Sequence, residues 1–281
     1  MLTINVQLPT CWQELTQSQL RYVYFLYSQN YTSDEVKTFC FCRFGGLKVL
    51  ERTDTGYLVQ YQNNPHLITA QQIAEQLPHL AWLDELPLVP LRLTTVGTKS
   101  KTFAKVFDLR GGSAATSTDA TRSSSQATSD DGKYKAPAAD LAGVPFRDYL
   151  YCDNLYTGYL HTQNADLLTD IARQLYHATT LTLSKEESVS IFYWFASLKA
   201  YYQRRFSYLF STEPTQGDNL LTPMQTTEQR LQTAMDNQIR ALTKGDVTKE
   251  TEVLNTDTLR ALTELNAMAR EYQDLERESK K

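Results

Sequence analysis

The chain has 281 residues, a net charge of −4 and a pI of about 5.6, enough for roughly two domains at about 100–200 residues each. Hydrophobic residues make up 41% and charged residues 21%, so part of the chain can bury a core, while the acidic balance gives no global pull towards nucleic acid or an anionic membrane. Eleven Gly leave little material for phosphate-binding loops, and 17 Tyr beside 11 Phe and 3 Trp suit contact surfaces, because Tyr joins an apolar body to a polar tip.

Leu2, Ile4, Val6 and Leu8 alternate with polar residues up to Pro9 and predict a half-buried strand. Thr16-Gln17-Ser18-Gln19 has capping-box spacing and opens a helix carrying Leu20, Val23, Tyr24 and Tyr27. A second helix is expected from Ser33 as N-cap to Gly45-Gly46. Leu47–Leu50 and Tyr57–Tyr61 flank a turn and predict a β-hairpin. Thr69 caps a short helix through Gln76, after which Pro78, Pro87 and Pro90 break the chain into extended pieces. Residues 1–110 are therefore expected to form a small α+β domain.

From Gly111 to Gly132 the only apolar residues are four Ala, and ten of the 22 positions are Ser or Thr. Burial there cannot offset the entropy of ordering, so 111–143 is expected to be a disordered linker. Beyond it the chain should be mostly α-helical. Residues 144–212 form an aromatic-rich domain: Phe146, Tyr149, Tyr156 and Tyr159 lie in one helix, and Asn164 caps the next. Ser184-Lys185-Glu186-Glu187 is a capping box opening a long helix to about Phe210, buried around its first half. Residues 213–281 are a linker and two amphipathic helices. One spans about Thr226–Thr243, stopped by Lys244-Gly245; the other starts at Thr248 or Thr256.

The start of the chain lacks the basic and apolar regions of a secretory signal. Its most apolar stretch, Ile191–Phe210, is interrupted by Lys199, Arg204 and Arg205 and is not expected to span a membrane. Four Cys, at 11, 40, 42 and 152, are too few for a disulfide framework and fit a reducing cytoplasm. The four His, at 66, 79, 161 and 177, have no partner at metal-ligand spacing, and no Gly-x-Ser-x-Gly elbow occurs. No metal, cofactor or enzymatic activity is expected. Tyr201-Tyr202-Gln203-Arg204-Arg205-Phe206 interleaves aromatic and basic residues, but on a helix the Arg pair reads as the solvated side of an aromatic stripe, and nucleic acid is not the expected partner.

The opening Trp12-Gln13-Glu14-Leu15-Thr16-Gln17-Ser18-Gln19-Leu20-Arg21-Tyr22-Val23 resembles virion-cassette proteins of tailed phages, and in particular tail-assembly-chaperone-like proteins. The runs Ile239–Glu250 and Leu259–Asn266 resemble prophage proteins of Bacteroidales-type bacteria. The resemblance implies a non-enzymatic structural or tail-assembly protein in the cytoplasm of a bacterial host or within a virion. Its partners would be proteins, phage structural proteins or a second copy, and no functional residue is carried across. A protein-binding adaptor without a virion role, and an enzyme with an unrecognised site, are the alternatives. The expected contact row is Leu259, Leu262, Leu265 and Met268, opposed by Leu231, Met235 and Ile239, on helices that either pack on the core or on each other or form an arm that docks on a partner; Tyr149, Tyr156 and Tyr159 are the second candidate surface.

Overall fold

The computed structural model describes residues 6–29, 31–93, 134–210 and 227–279. Over these the chain is mostly helical, with one three-stranded antiparallel sheet. One unit gathers the described residues of Met1–Glu85, Leu91–Lys135 and Thr182–Val189; a second gathers those of Leu86–Pro90, Ala136–Leu181 and Ser190–Lys281.

In the first unit, Thr16 and Gln19 make the expected reciprocal capping box of α1 (Gln17–Ser28), whose Leu20, Tyr22, Val23, Tyr24 and Leu26 are buried. The cap of α2 (Ser33–Phe44) is Thr32, not Ser33, because Thr32 stands three residues before Glu35 and completes the box with it. The Ser33 hydroxyl instead donates to Asp84 Oδ1 at 2.5 Å. Gly46, at φ +68°, terminates α2, and the Leu47 N–H reaches back to the Cys42 carbonyl at 2.8 Å.

The strand expected over residues 2–8 is absent from its described part: residues 6–10 are irregular, and 1–5 lie outside the described residues. The hairpin is present as β1 (Lys48–Thr53) and β2 (Gly56–Tyr61), with a bulge at Leu50. A third strand, β3 (Asn64–Thr69), pairs with β2 and was not expected; it contains Pro65, which cannot donate to a ladder. Pro is tolerated here because β3 is an edge. The two-residue turn Gln62-Asn63 has φ of +47° and +68°, the conformation that matches strand twist. Gly56 is required, as a Cβ there would lie 2.0 Å from the Ile68 carbonyl oxygen.

Thr69 caps α3 (Ala70–Ala74) as expected. The broken stretch after it is a 3-10 helix, Leu77–Asp84, which buries Leu80 and Leu83. Trp82 meets Trp12 edge to face at 5.2 Å, and the two indole N–H groups donate to the Trp82 and Pro9 carbonyls. Arg21 binds the buried Glu187 at 3.1 Å and the Arg92 carbonyl at 2.9 Å.

The second unit contains α4 (Phe146–Thr162), α5 (Ala165–Leu175), most of α6 (Lys185–Arg205), α7 (Thr227–Thr243), α8 (Glu250–Leu254) and α9 (Thr258–Ser279). Asn164 caps α5, and Ser184 with Glu187 makes the expected box of α6. α6 buries Ile191, Trp194, Phe195, Leu198 and Tyr202. It ends at Arg205 rather than near Phe210, because the amides of Tyr208 and Leu209 turn to the Asn266 side chain.

Of the expected linker, 111–133 lies outside the described residues. The remainder, 134–143, is built into the fold. Leu141 is fully buried, the Trp194 indole donates to the Ala139 carbonyl, and the Tyr202 hydroxyl donates to the Asp140 carbonyl. Pattern alone hides this, since the contacts come from backbone carbonyls of small residues meeting aromatic tips.

Candidate protein-interaction surface

Sequence periodicity places Leu259, Leu262, Leu265 and Met268 on one stripe of α9 and Met235 and Ile239 on α7. The structure does not leave the α9 row open. Leu262 and Leu265 are buried with Ala261 and Thr258, while Leu259 and Met268 are half-buried. The start of α9 is stitched to the start of α4: the Phe146 N–H donates to the Thr256 carbonyl at 2.8 Å, and the Thr258 N–H donates to the Val144 carbonyl at 2.9 Å. Asp257 accepts from the Gly143 N–H and from the Arg260 N–H and caps α9, which starts at Thr258 and not at Thr248 or Thr256 as expected. Of the two alternatives the first half of α9 is core and not arm: its start is hydrogen-bonded to the start of α4, and Ala261, Leu262 and Leu265 are buried.

On α7, Met235 and Ile239 are half-buried, the Asn154 amide meets the Met235 thioether, and Leu231 lies outside the described side chains. Lys244 and Gly245, at φ +54° and +81°, end the helix as expected.

Two of the three candidate tyrosines are core residues. Tyr149 is buried edge-on against Tyr202 at 5.5 Å, and Tyr156 is buried between Phe192 and Phe195 at 5.9 and 5.0 Å. Burial pushes the Tyr156 hydroxyl up to about 12 and that of Tyr149 well above its usual value. Only Tyr159 of the three is half-exposed, with its ring 5.6 Å from Phe192. Composition cannot tell a core tyrosine from an interface one, since both keep an apolar body against apolar neighbours.

Among the described residues the unit exposes Tyr151 and Leu160 of α4, each 48%, and Leu86, 47%, but its most exposed large apolar side chains lie elsewhere. Tyr272 and Leu275 of α9 are each 65% exposed, and Val247 before α8 is 79% exposed. Val247 borders an open concavity of about 390 Å³ lined by Asp236, Ile239, Arg240, Thr243, Gly245 and Glu250. A second, shallower one of about 480 Å³ is lined by Arg147, Asp148, Tyr151, Gln174 and His177. Asp148 is buried in the first turn of α4, which suits a carboxylate, and accepts from the Gln174 amide at 2.9 Å. His177, at φ +52°, is the residue that ends α5, with the Ala178 N–H closing onto the Arg173 carbonyl at 2.9 Å. These groups are explained by helix ends.

Cys40, Cys42 and Cys152 are buried, and burial raises their thiols, that of Cys42 to about 11. Such thiols stay protonated and are poor nucleophiles. Among the described residues no group of three or more His, Cys, Asp and Glu is placed to hold a metal ion, and no helix is long and apolar enough to cross a membrane. No protein-family model, curated protein or solved structure matches the chain.

Proposed function

We propose that this chain is a non-enzymatic assembly or structural protein of a phage-like particle that works through protein–protein contacts. On this reading it has a small N-terminal α+β domain and a helical C-terminal domain, and it acts in the cytoplasm of a bacterial host. The observation that carries it is the pair of large apolar side chains, Tyr272 and Leu275, left at the surface of an ordered helix whose preceding turns are packed. Exposed side chains of this size within one stripe favour a partner's surface over solvent. The resemblance of residues 12–23 to tail-assembly proteins supplies the particle context. The test is co-expression with the products of the adjacent genes, followed by size-exclusion chromatography. Co-elution with a tail or other virion component is expected. Absence of co-elution with every neighbour would sink the reading.

A further inference from the structure

We infer that the concavity between the start of α4 and the end of α5 binds a carboxylate group, held by Arg147 and backed by the buried Asp148. The inference goes beyond the assembly reading and does not depend on it.

Arg147, Asp148 and Tyr151 stand on one face of α4, and Gln174 and His177, three residues apart, line the same space from the end of α5. Helix ends explain why Asp148 and His177 occupy their positions. They leave open what the hydrogen-bonding capacity around them serves. Asp148 forms the floor, with its side chain only 9% exposed. Its Oδ1 accepts from the Gln174 amide at 2.9 Å and faces the Arg147 Nε at 3.5 Å. That approach is the one interaction of the Arg147 side chain among the described residues, so the four N–H of its two terminal nitrogens have no acceptor there. The Tyr151 hydroxyl and the His177 ring have no hydrogen-bond partner among the described residues either. Single surface side chains often lack partners. Here three donor-bearing groups line one space of about 480 Å³, and a buried carboxylate fixes the guanidinium among them.

Unused donors call for an anion, and charge narrows its kind. Asp148 offsets the charge of Arg147, so a phosphate dianion would face a buried carboxylate with one guanidinium to balance both. A carboxylate carries a single charge, and its two oxygens match the planar N–H fork of an arginine. A cation would have to displace Arg147 from Asp148. The Tyr151 ring, 48% exposed, offers an apolar wall to the carbon stem behind the bound group.

The probes are the capped peptide Gly-Gly-Glu-Gly-Gly, its Gln twin, free glutarate, inorganic phosphate and n-butylamine. Each is titrated into the full chain at pH 7 and followed by calorimetry and by the Gln174 side-chain amide signal in NMR spectra. The Glu peptide is expected to bind at least about tenfold tighter than its Gln twin, and tighter than phosphate. Arg147→Ala, at an exposed position, should abolish that preference and leave the circular dichroism and melting temperature unchanged. Arg147→Lys should keep only part of it, since an ammonium lacks the fork. Asp148→Asn retains an acceptor for Gln174 and removes the charge, so phosphate should gain on the Glu peptide in that variant. Equal binding of the Glu and Gln peptides, undiminished binding by Arg147→Ala, or phosphate ahead of the Glu peptide on the unaltered chain would overturn the inference. So would butylamine binding that is lost in Asp148→Asn, which would make the concavity a cation site. Glutarate binding as tightly as the Glu peptide assigns the site to a free carboxylic acid. A Glu peptide at least about tenfold tighter than glutarate assigns it to an acidic side chain of a partner protein, and the carboxylate stands in both cases. Failure here leaves the assembly reading standing, because that reading rests on α9 and is tested by co-elution.

Discussion

The two halves of α9 carry the same repeat and meet opposite fates. Leu262 and Leu265 are buried, whereas Tyr272 and Leu275, two to three turns on, are each about two-thirds exposed. Periodicity fixes which residues share a stripe, but burial requires a neighbour, and contacts with the turn after α6 are made at Asn266 and Arg270. The lesson is that an amphipathic stripe marks a surface that wants covering without saying whether the cover lies in the same chain.

The largest test of the contrast is truncation. Removing residues 256–279 takes away both backbone hydrogen bonds joining α9 to the start of α4, together with Ala261, Leu262 and Leu265. The second unit is then expected to lose its cooperative thermal transition. Removing only 271–279 should shift the midpoint by less than about 4 °C. A chain that melts normally without 256–279 would restore the separate arm.

Single residues sharpen the same contrast at lower cost. Leu262→Ala should destabilise by about 2–5 kcal/mol, because it opens a cavity at a fully buried site. Leu275→Ala should change stability by less than about 0.5 kcal/mol. Urea denaturation of both variants reads the difference, and similar losses would mean that the distal turns are packed too.

What was legible in the sequence was whatever local chemistry decides. Thr16 with Gln19, Ser184 with Glu187 and the Gly45-Gly46 stop are satisfied within a few residues of themselves, and each appears where its spacing put it. The missed features are decided at long range. β3 was not expected, and its Pro65 is compatible with a strand only at an edge, which the pairing with β2 decides. Residues 134–143 escaped because carbonyls of Ala139 and Asp140 are held by Trp194 and Tyr202, 55 and 62 residues away. The candidate contact row was drawn one to two turns early for the same reason. The spacing was correct, but Leu262 and Leu265 were already taken, and of the tyrosines read as surface Tyr149 and Tyr156 serve the core. Continuing the three-four alternation to Leu275 would have found the exposed end.

A smaller effect is expected at the hinge point between the halves. Asn266 Oδ1 accepts from the backbone N–H groups of Tyr208 at 3.0 Å and Leu209 at 3.1 Å. Asn266→Ala leaves both donors without that acceptor, a loss of about 1–3 kcal/mol. Asn266→Asp keeps the acceptor and should recover most of it. If Asp rescues nothing, the side chain acts by packing and not by capping the turn after α6.

A small effect is also expected at Arg270, one turn beyond Asn266. Its guanidinium lies 5.7 Å from the centre of the Tyr208 ring, and its Nε lies 3.8 Å from Asp274. Both members of the ion pair are more than half exposed, so solvent screens it to a few tenths of a kcal/mol. A cation over an aromatic face at an exposed site is worth about 0.5–1 kcal/mol. A double-mutant cycle separates the two. Coupling of Arg270 to Tyr208 should exceed its coupling to Asp274, and only the latter should fade as salt is raised. The opposite order would mean that Asn266, one turn earlier, and not the Tyr208 ring under Arg270, holds this part of α9 to the turn after α6.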